Sequence, residues 1–268
     1  MKFECRFFSM RYKWWLGLLF SGCCLAQQPL HLLTEHNPPG EYLDPQGEIA
    51  GVTAELIRVL QQRLDEPGTM QLMPWGRALN IARTAENTAL FETVRTAERE
   101  QWFKWVGPLK HYQISLYGLK ERLGERPDLN ALARHYTACS YRNSATVEEI
   151  KRLGFSEGKN LILTSKSGDC LEMLLLGRVD LTAVNELSLP EFISAVAAGG
   201  SQLVLVKYLS ERKRYLAFSR DITDERIARW QQALEQSYRD GTMRKLYQPV
   251  YAEAIIQRLE DFAAQPKH

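Results

Sequence analysis

The stretch YTACSYRNSATVEEIKRLGFSEGKNLILTSKSGDCLEMLLLGRVDLTAV, residues 136–184, decides the fold. Short apolar runs at 136–139, 161–164 and 181–184 read as strands. The segments between them, 145–153 and 169–176, carry apolar residues at helical spacing. Strands that alternate with helices of about ten residues build βαβ units, and such units build a parallel sheet. A helix at 187–197 and a strand at 203–206 continue the pattern.

Upstream, 30–33 reads as a strand broken by Pro38-Pro39-Gly40. A helix opens at Gly51-Val52-Thr53 with Leu56, Ile57, Leu60 and Leu64 on one face, and Glu66-Pro67-Gly68 closes it. A strand at 70–73 leads into Pro74-Trp75-Gly76-Arg77, a short helical run and the apolar patch Ala89-Leu90-Phe91. Trp102, Phe103 and Trp105 are assigned to core packing. A strand at 112–117 precedes a polar loop, 120–130, that contains Pro127. Downstream come a strand at 215–218, a helix at 224–238 with Ile227, Trp230 and Leu234 on one face, a short helix at 243–247 and an amphipathic helix at 251–264. The βαβ block is thus flanked by two segments that read as one further unit. The expected architecture is α/β with two lobes: residues 27–111 and 208–250 form the first, 112–207 the second. Two crossing strands near 109–115 and 207–215 join them, and 251–268 is a C-terminal helix and tail.

The first 26 residues differ from the rest. Lys2, Arg6, Arg11 and Lys13 precede a short apolar run that ends at Cys24-Leu25-Ala26. This reads as a secretory signal peptide, too short to span a membrane. Leu19-Phe20-Ser21-Gly22-Cys23 offers a second reading, a lipoprotein box that would tether the protein through Cys23. Without the leader, 30 basic residues face 31 acidic ones. No basic stripe remains, which excludes nucleic acid as a partner. Two of the five cysteines, Cys139 and Cys170, lie outside the leader. In an oxidising compartment they are either a disulfide or two buried thiols. The cysteines and histidines lack metal-ligand spacing, so neither metal nor cofactor is expected.

Several landmarks stand in order along the chain. They are Asn37-Pro38-Pro39, Gly47-Glu48-Ile49-Ala50-Gly51-Val52, Trp75, Thr96-Ala97-Glu98-Arg99, Gly177-Arg178-Val179-Asp180 and Asp240-Gly241-Thr242-Met243. In this order they resemble the extracellular solute-binding proteins of family 3, the periplasmic amino-acid-binding type that feeds ABC importers. The resemblance covers about residues 30–248. Pro74-Trp75 with Arg77-Ala78-Leu79, and Arg95 through Glu100, are similar to a branch often not tied to a known transporter. The resemblance implies a type II periplasmic-binding-protein fold, a periplasmic location and lobes that close on a ligand.

It also implies a site. Arg99 matches the arginine that pairs with a ligand carboxylate, a task suited to a planar guanidinium that stays charged. Thr96 matches the threonine that shapes that turn. Ser144 matches a hydroxyl aimed at the same carboxylate, although it would serve equally as a plain helix cap. Tyr42 and Trp75 are candidate apolar walls or packing residues. Asn185 is a departure, since amino-acid binders of this family carry an aspartate there for the ligand's ammonium. A neutral amide offers no countercharge. Either Glu35 or Glu92 supplies it, or the ligand is not a standard α-amino acid. Val94 and Gly40 depart from the family pattern in the same region.

The expectation is a monomeric, non-enzymatic receptor for a small carboxylated solute, amino-acid-like or an organic acid. Its partner would be an inner-membrane ABC permease or a sensor. The alternatives are a sensory ligand-binding protein without a transporter and a dehydratase-like enzyme on the same fold. The enzyme would need a desolvated general acid/base such as Glu35 or Glu92.

Overall fold

The computed structural model describes Met1 and residues 29–123, 129–142, 144, 146–165 and 168–265. The leader with Cys23, Pro127 of the expected loop, Ala145 at the expected helix start and the last three residues lie outside the described residues.

The chain opens with β1 (Leu30–Thr34), the short antiparallel pair β2 (Tyr42–Leu43) and β3 (Ile49–Ala50), then α1 (Val52–Leu64) and β4 (Gly68–Leu72). Next come α2 (Trp75–Thr84), β5 (Thr88–Val94), a 3₁₀ turn at Arg99–Gln101 and β6 (Phe103–Leu119). Two one-turn helices follow, α3 (Lys120–Leu123) and α4 (Leu132–His135). The βαβ block consists of β7 (Ala138–Tyr141), α5 (Thr146–Arg152), β8 (Leu161–Thr164), α6 (Asp169–Leu175), β9 (Leu181–Asn185) and α7 (Leu189–Ala198). The chain then runs through β10 (Leu203–Ser219), α8 (Asp224–Arg239), α9 (Thr242–Tyr247) and α10 (Glu253–Ala264).

All strands but the β2–β3 pair join one eight-stranded sheet in the order β4-β1-β5-β10-β6-β9-β7-β8. The outer strands pair in parallel, β1 with β4 and β5 on one side, β7 with β8 and β9 on the other. The two middle strands, β6 and β10, are 17 residues long and run antiparallel from Phe103–Ser219 to Leu119–Leu203. β5 joins the end of β10, whereas β9 joins the end of β6. Each long strand therefore belongs to one parallel group at one end and to the other group at its far end.

Each group has its own core. On the first side Leu56, Ile57 and Leu60 of α1 pack with Phe91, Phe218 and Trp230, all fully buried. Buried Glu66 accepts hydrogen bonds from Arg226 Nε and Trp230 Nε1, both 2.8 Å, and so fixes α8 to the loop after α1. On the second side Val147, Ile150, Phe155 and Leu161 pack on Leu116 and Leu181. Burial of each such side chain stabilises the fold by about 1.5–3 kcal/mol before entropy is counted.

Two expectations need correction. The segment 120–130 does not begin as a loop, because α3 buries Leu123 in the second core and Arg122 pairs with Asp180 at 2.6 Å. The strands expected at 203–206 and 215–218 are parts of one strand. Its polar middle, Ser210 to Arg214, breaks the apolar alternation that marks a strand in sequence, yet it remains paired with β6.

Candidate functional site

A cleft of about 680 Å³ opens where β6 and β10 pass between the two groups. The first side contributes Asn37, Pro38, Pro39, Glu92, Lys110, Tyr112, Arg214 and Tyr251. The second side contributes Ser140, Ser144, Thr146, Thr164, Thr182, Asn185 and Ser188. Charge sits almost entirely on one wall. The other wall sets hydroxyls and an amide among the apolar Leu171, Leu187 and Phe192, with Glu191 exposed at its edge. A separate hollow of about 690 Å³ on the outer face near β3 and β4 takes in Arg77, and none of its lining residues is buried. The cleft, with buried ionisable groups and walls from both sides, is the better candidate site.

The charged wall depends on irregular backbone. Thr93 faces Tyr215 and Leu90 faces Ala217, so Phe91 and Glu92 together oppose Leu216. This is a β-bulge, and Glu92 adopts φ of 62°, a region that non-glycine residues rarely occupy. The bulge brings the Glu92 carboxylate to Lys110 Nζ, 3.0 Å away. Lys110 is 1% exposed, and its Nζ lies 5.3 Å from the centre of the Tyr251 ring. A second buried carboxylate, Glu41, stands 4.0 Å from the same ammonium and accepts a hydrogen bond from Asn37 Nδ2 at 2.8 Å. Burial, and then the charge of Glu92, push the Glu41 carboxyl up to about 8. Burial alone would lower the Lys110 ammonium, but Glu92, Tyr251 and Glu41 outweigh it and raise its pKa.

Gly40 makes this cluster feasible. A Cβ at position 40 would stand 2.5 Å from Lys110 Nζ and 3.0 Å from Thr53 Oγ1. The glycine therefore leaves room for the lysine head.

Arg214 lies beside this pair. Its Nε donates to the Tyr112 hydroxyl at 3.1 Å and its Nη1 donates to the Glu92 carbonyl at 3.1 Å. Burial would lower the guanidinium pKa, but Tyr112 and Glu92 raise it, so the group stays charged. Glu35 is close enough to interact with Arg214 and Glu92; its carboxyl is raised, mainly by burial.

Of the residues expected at the site, Ser144 and Asn185 line the cleft, whereas Arg99, Trp75, Tyr42 and Glu35 are outside its lining. Ser144 Oγ accepts from the Thr146 backbone N–H at 3.2 Å and lies 2.5 Å from Thr146 Oγ1, so it serves as a local cap as well as a wall residue. Asn185 Oδ1 accepts from the Ser188 backbone N–H at 3.0 Å. Arg99 Nη1 donates to the Val94 carbonyl at 2.9 Å, and its guanidinium lies 5.4 Å from the centre of the Trp75 ring. Trp75 also packs on the small cluster of Leu33, Leu90 and Phe103. Tyr42 pairs with Ala50 in the β2–β3 ribbon.

Cys139 and Cys170 form a disulfide between β7 and α6, and Cys170 lines the cleft. Among the described residues no cluster of His, Cys, Asp and Glu could hold a metal ion, and no helix is long and apolar enough to cross a membrane.

The sequence reading missed Lys110, Arg214, Glu41, Tyr112 and Tyr251. One signal was present: Lys110, Tyr112 and Ile114 alternate along β6, so they share a face.

The family model of the bacterial extracellular solute-binding proteins, family 3, matches residues 30–252. No curated protein sequence matches the chain. Among solved structures the fold is similar to the second substrate-binding domain of a putative amino acid ABC transporter from Streptococcus pneumoniae (TM-score 0.67, 13% identity, 83% of this chain and 100% of that one). It is similar to the L-cystine solute receptor of Neisseria gonorrhoeae in its unliganded open conformation (TM-score 0.67, 16% identity, 83% and 92%). A histidine kinase sensor domain with similarity to periplasmic binding proteins also shares the fold (TM-score 0.62, 18% identity, 83% and 96%).

Proposed function

Because the chain belongs to the bacterial extracellular solute-binding proteins, family 3, we propose that it is a periplasmic receptor that closes on a small carboxylated solute. One observation carries this reading: a cleft between two separately cored groups, crossed by two continuous strands, with cations on one wall and hydrogen-bonding neutral groups on the other. A carboxylate would meet the charged wall, and the rest of the solute would meet the hydroxyls of the second. The lobes are taken as residues 27–111 with 208–250 and residues 112–207, hinged at β6 and β10, although Tyr112, Ile114 and the α10 residues pack in the first core. Arg99, Trp75 and Glu35 are outside the lining as it stands and would join the ligand on closure. The receptor acts as a monomer without cofactor or catalysis and hands its solute to an ABC permease.

The sensory alternative is favoured by one finding, the shared fold with a histidine kinase sensor domain. In that reading the closed form is recognised by a membrane partner rather than by a permease.

The test is a thermal-shift screen of the chain from Gln27 against amino acids, hydroxy acids, dicarboxylates, aromatic acids and polyamines. Binding to the folded state raises the melting temperature with ln(1 + [L]/Kd). Carboxylates are expected to shift the protein and to be recovered chemically unchanged. Arg99→Ala is expected to weaken binding about tenfold. A response confined to cationic amines would sink the anion assignment, and conversion of the solute would move the protein to the enzyme class.

A further inference from the structure

We propose that Arg214 is the anion contact on the cleft floor, and that the solute it takes is an organic acid without an ammonium group rather than an amino acid. This rests on the receptor reading above and narrows the class of its solute.

Arg214 carries a charge that no carboxylate of the described residues pairs. None lies within ion-pair distance of it, although the guanidinium is part-buried and lines the cleft. The nearby Glu92 carboxylate is engaged at 3.0 Å by Lys110. Tyr112 and Glu92 keep the guanidinium charged without closing an ion pair on it. A ligand carboxylate arriving in the cleft would form that pair, so the residue would give affinity.

The guanidinium is held at two nitrogens, Nε by the Tyr112 hydroxyl and Nη1 by the Glu92 carbonyl. That carbonyl belongs to the left-handed residue of the β5 bulge. The β6–β10 register also shifts between Arg214 and Leu216, so the ladder is irregular on both sides of the arginine. Bulges of this kind re-aim side chains next to functional sites. Here two irregularities converge on one guanidinium and leave Nη2 without a hydrogen bond to the described residues. A fixed fork with one free edge loses little entropy on meeting a carboxylate.

A zwitterion needs a second, uncommitted acid in the cleft. Asn185 is neutral, Glu92 is committed to Lys110, Glu41 is buried behind that lysine, and Glu191 is exposed at the edge. Glu35 is outside the lining. In contrast the Asn185 amide nitrogen has no hydrogen bond to the described residues, and Ser140, Thr146 and Thr182, although hydrogen-bonded within the wall, keep acceptor positions, a set suited to hydroxyl or oxo groups.

The experiment uses matched acids that differ only at the α-substituent: L-alanine, L-lactate and pyruvate, then L-glutamate, 2-hydroxyglutarate and 2-oxoglutarate. Binding to the wild type, Arg214→Gln, Arg214→Lys and Arg99→Ala is measured by calorimetry, with apo melting curves as the folding control. In at least one set the hydroxy or oxo acid is expected to bind about tenfold or more tightly than the amino acid. Arg214→Gln is expected to lose about 10- to 100-fold in affinity for it. Arg214→Lys keeps the charge without the fork and should fall between the two. The neutral amide of the bound acid tests the same contact in the wild type and should not bind. An amino acid that binds more tightly than its hydroxy and oxo counterparts overturns the solute class. Wild-type affinity in both folded Arg214 variants overturns the contact. A wild type that binds no acid in the panel overturns the receptor reading and this inference together, whereas the first two failures leave the receptor standing.

Discussion

The cleft is built around residues whose surroundings could not be read from their neighbours in sequence. Lys110 follows a glycine-proline pair and looks like any strand lysine, yet it is 1% exposed between Glu92, Glu41 and Tyr251. Its alternation with Tyr112 and Ile114 gave the face but not the depth. Glu92 was legible as a charge near the site, whereas its bulge depends on pairing with a strand more than a hundred residues away and left no local mark. Arg214 sits in the run Glu211-Arg212-Lys213-Arg214, where nothing distinguishes the cation that lines the cleft from its neighbours. Glu41 makes a prediction at this scale. Its carboxyl is raised from an ordinary 4.5 to about 8, chiefly by burial and then by Glu92. Between those values the folded protein holds a proton that the unfolded chain has released. Stability is therefore full below about pH 4.5 and is lost as pH rises towards 8, by up to about 1.4 kcal/mol per pH unit. Glu41→Gln keeps the shape and removes the titration, so urea midpoints of this variant should fall less between pH 5.5 and pH 8 than those of the wild type. Parallel pH profiles would show that Glu41 stays ionised in the folded state.

At the scale of elements, the alternating block and most helices were legible because each carries its own period. The face of α1 read at Leu56, Ile57, Leu60 and Leu64 packs in the first core, the first three fully buried and Leu64 in part. What escaped were features set by partners. β10 reads as two strands because its middle is polar, and α3 reads as loop because Leu123 is its one residue in the second core and its other ties are polar. The last helix, α10, begins just beyond the family match, which ends at residue 252. It is nevertheless integral. Ile255, Ile256 and Leu259 are fully buried in the first core. Arg258 grips Glu186 with both terminal nitrogens, at 2.7 and 3.0 Å, and donates to the His111 carbonyl. Glu186 directly follows Asn185 of the second wall, so the helix reaches across to the other group. Leu259→Ala should cost about 2–5 kcal/mol in urea unfolding, as a buried cavity does. Arg258→Ala should cost less, about 1–3 kcal/mol, through the hydrogen bonds it removes from a charged partner. If both variants unfold at the wild-type midpoint, α10 is an appendage and its burial contributes nothing measurable.

For the whole molecule, the question is how two groups in one sheet can move against each other. A continuous ladder resists bending, but this one is interrupted. The β6–β10 register shifts between Leu205 and Lys207, between Tyr208 and Ser210, and between Arg214 and Leu216. Each shift leaves backbone groups out of regular pairing, and the three bracket the cleft on the strands that cross it. The buried clusters on either side share no buried residue and meet at part-buried Ala183 and Leu209, so rotation about this band would leave Trp230 and Phe155 in their own packing. A solute that touches both walls would favour the closed arrangement only by the contacts the open one lacks. Arg214 and the hydroxyls of β7 and β9 come from opposite sides, so one bound acid would supply those contacts. Solution X-ray scattering on the apo protein and on protein saturated with its best-binding acid should then give a smaller radius of gyration for the second. Arg214→Gln at the same acid concentration should scatter like the apo form. If calorimetry records binding while the two wild-type scattering curves superimpose, the cleft is rigid. The register shifts would then serve only to aim Arg214 and Glu92 into it.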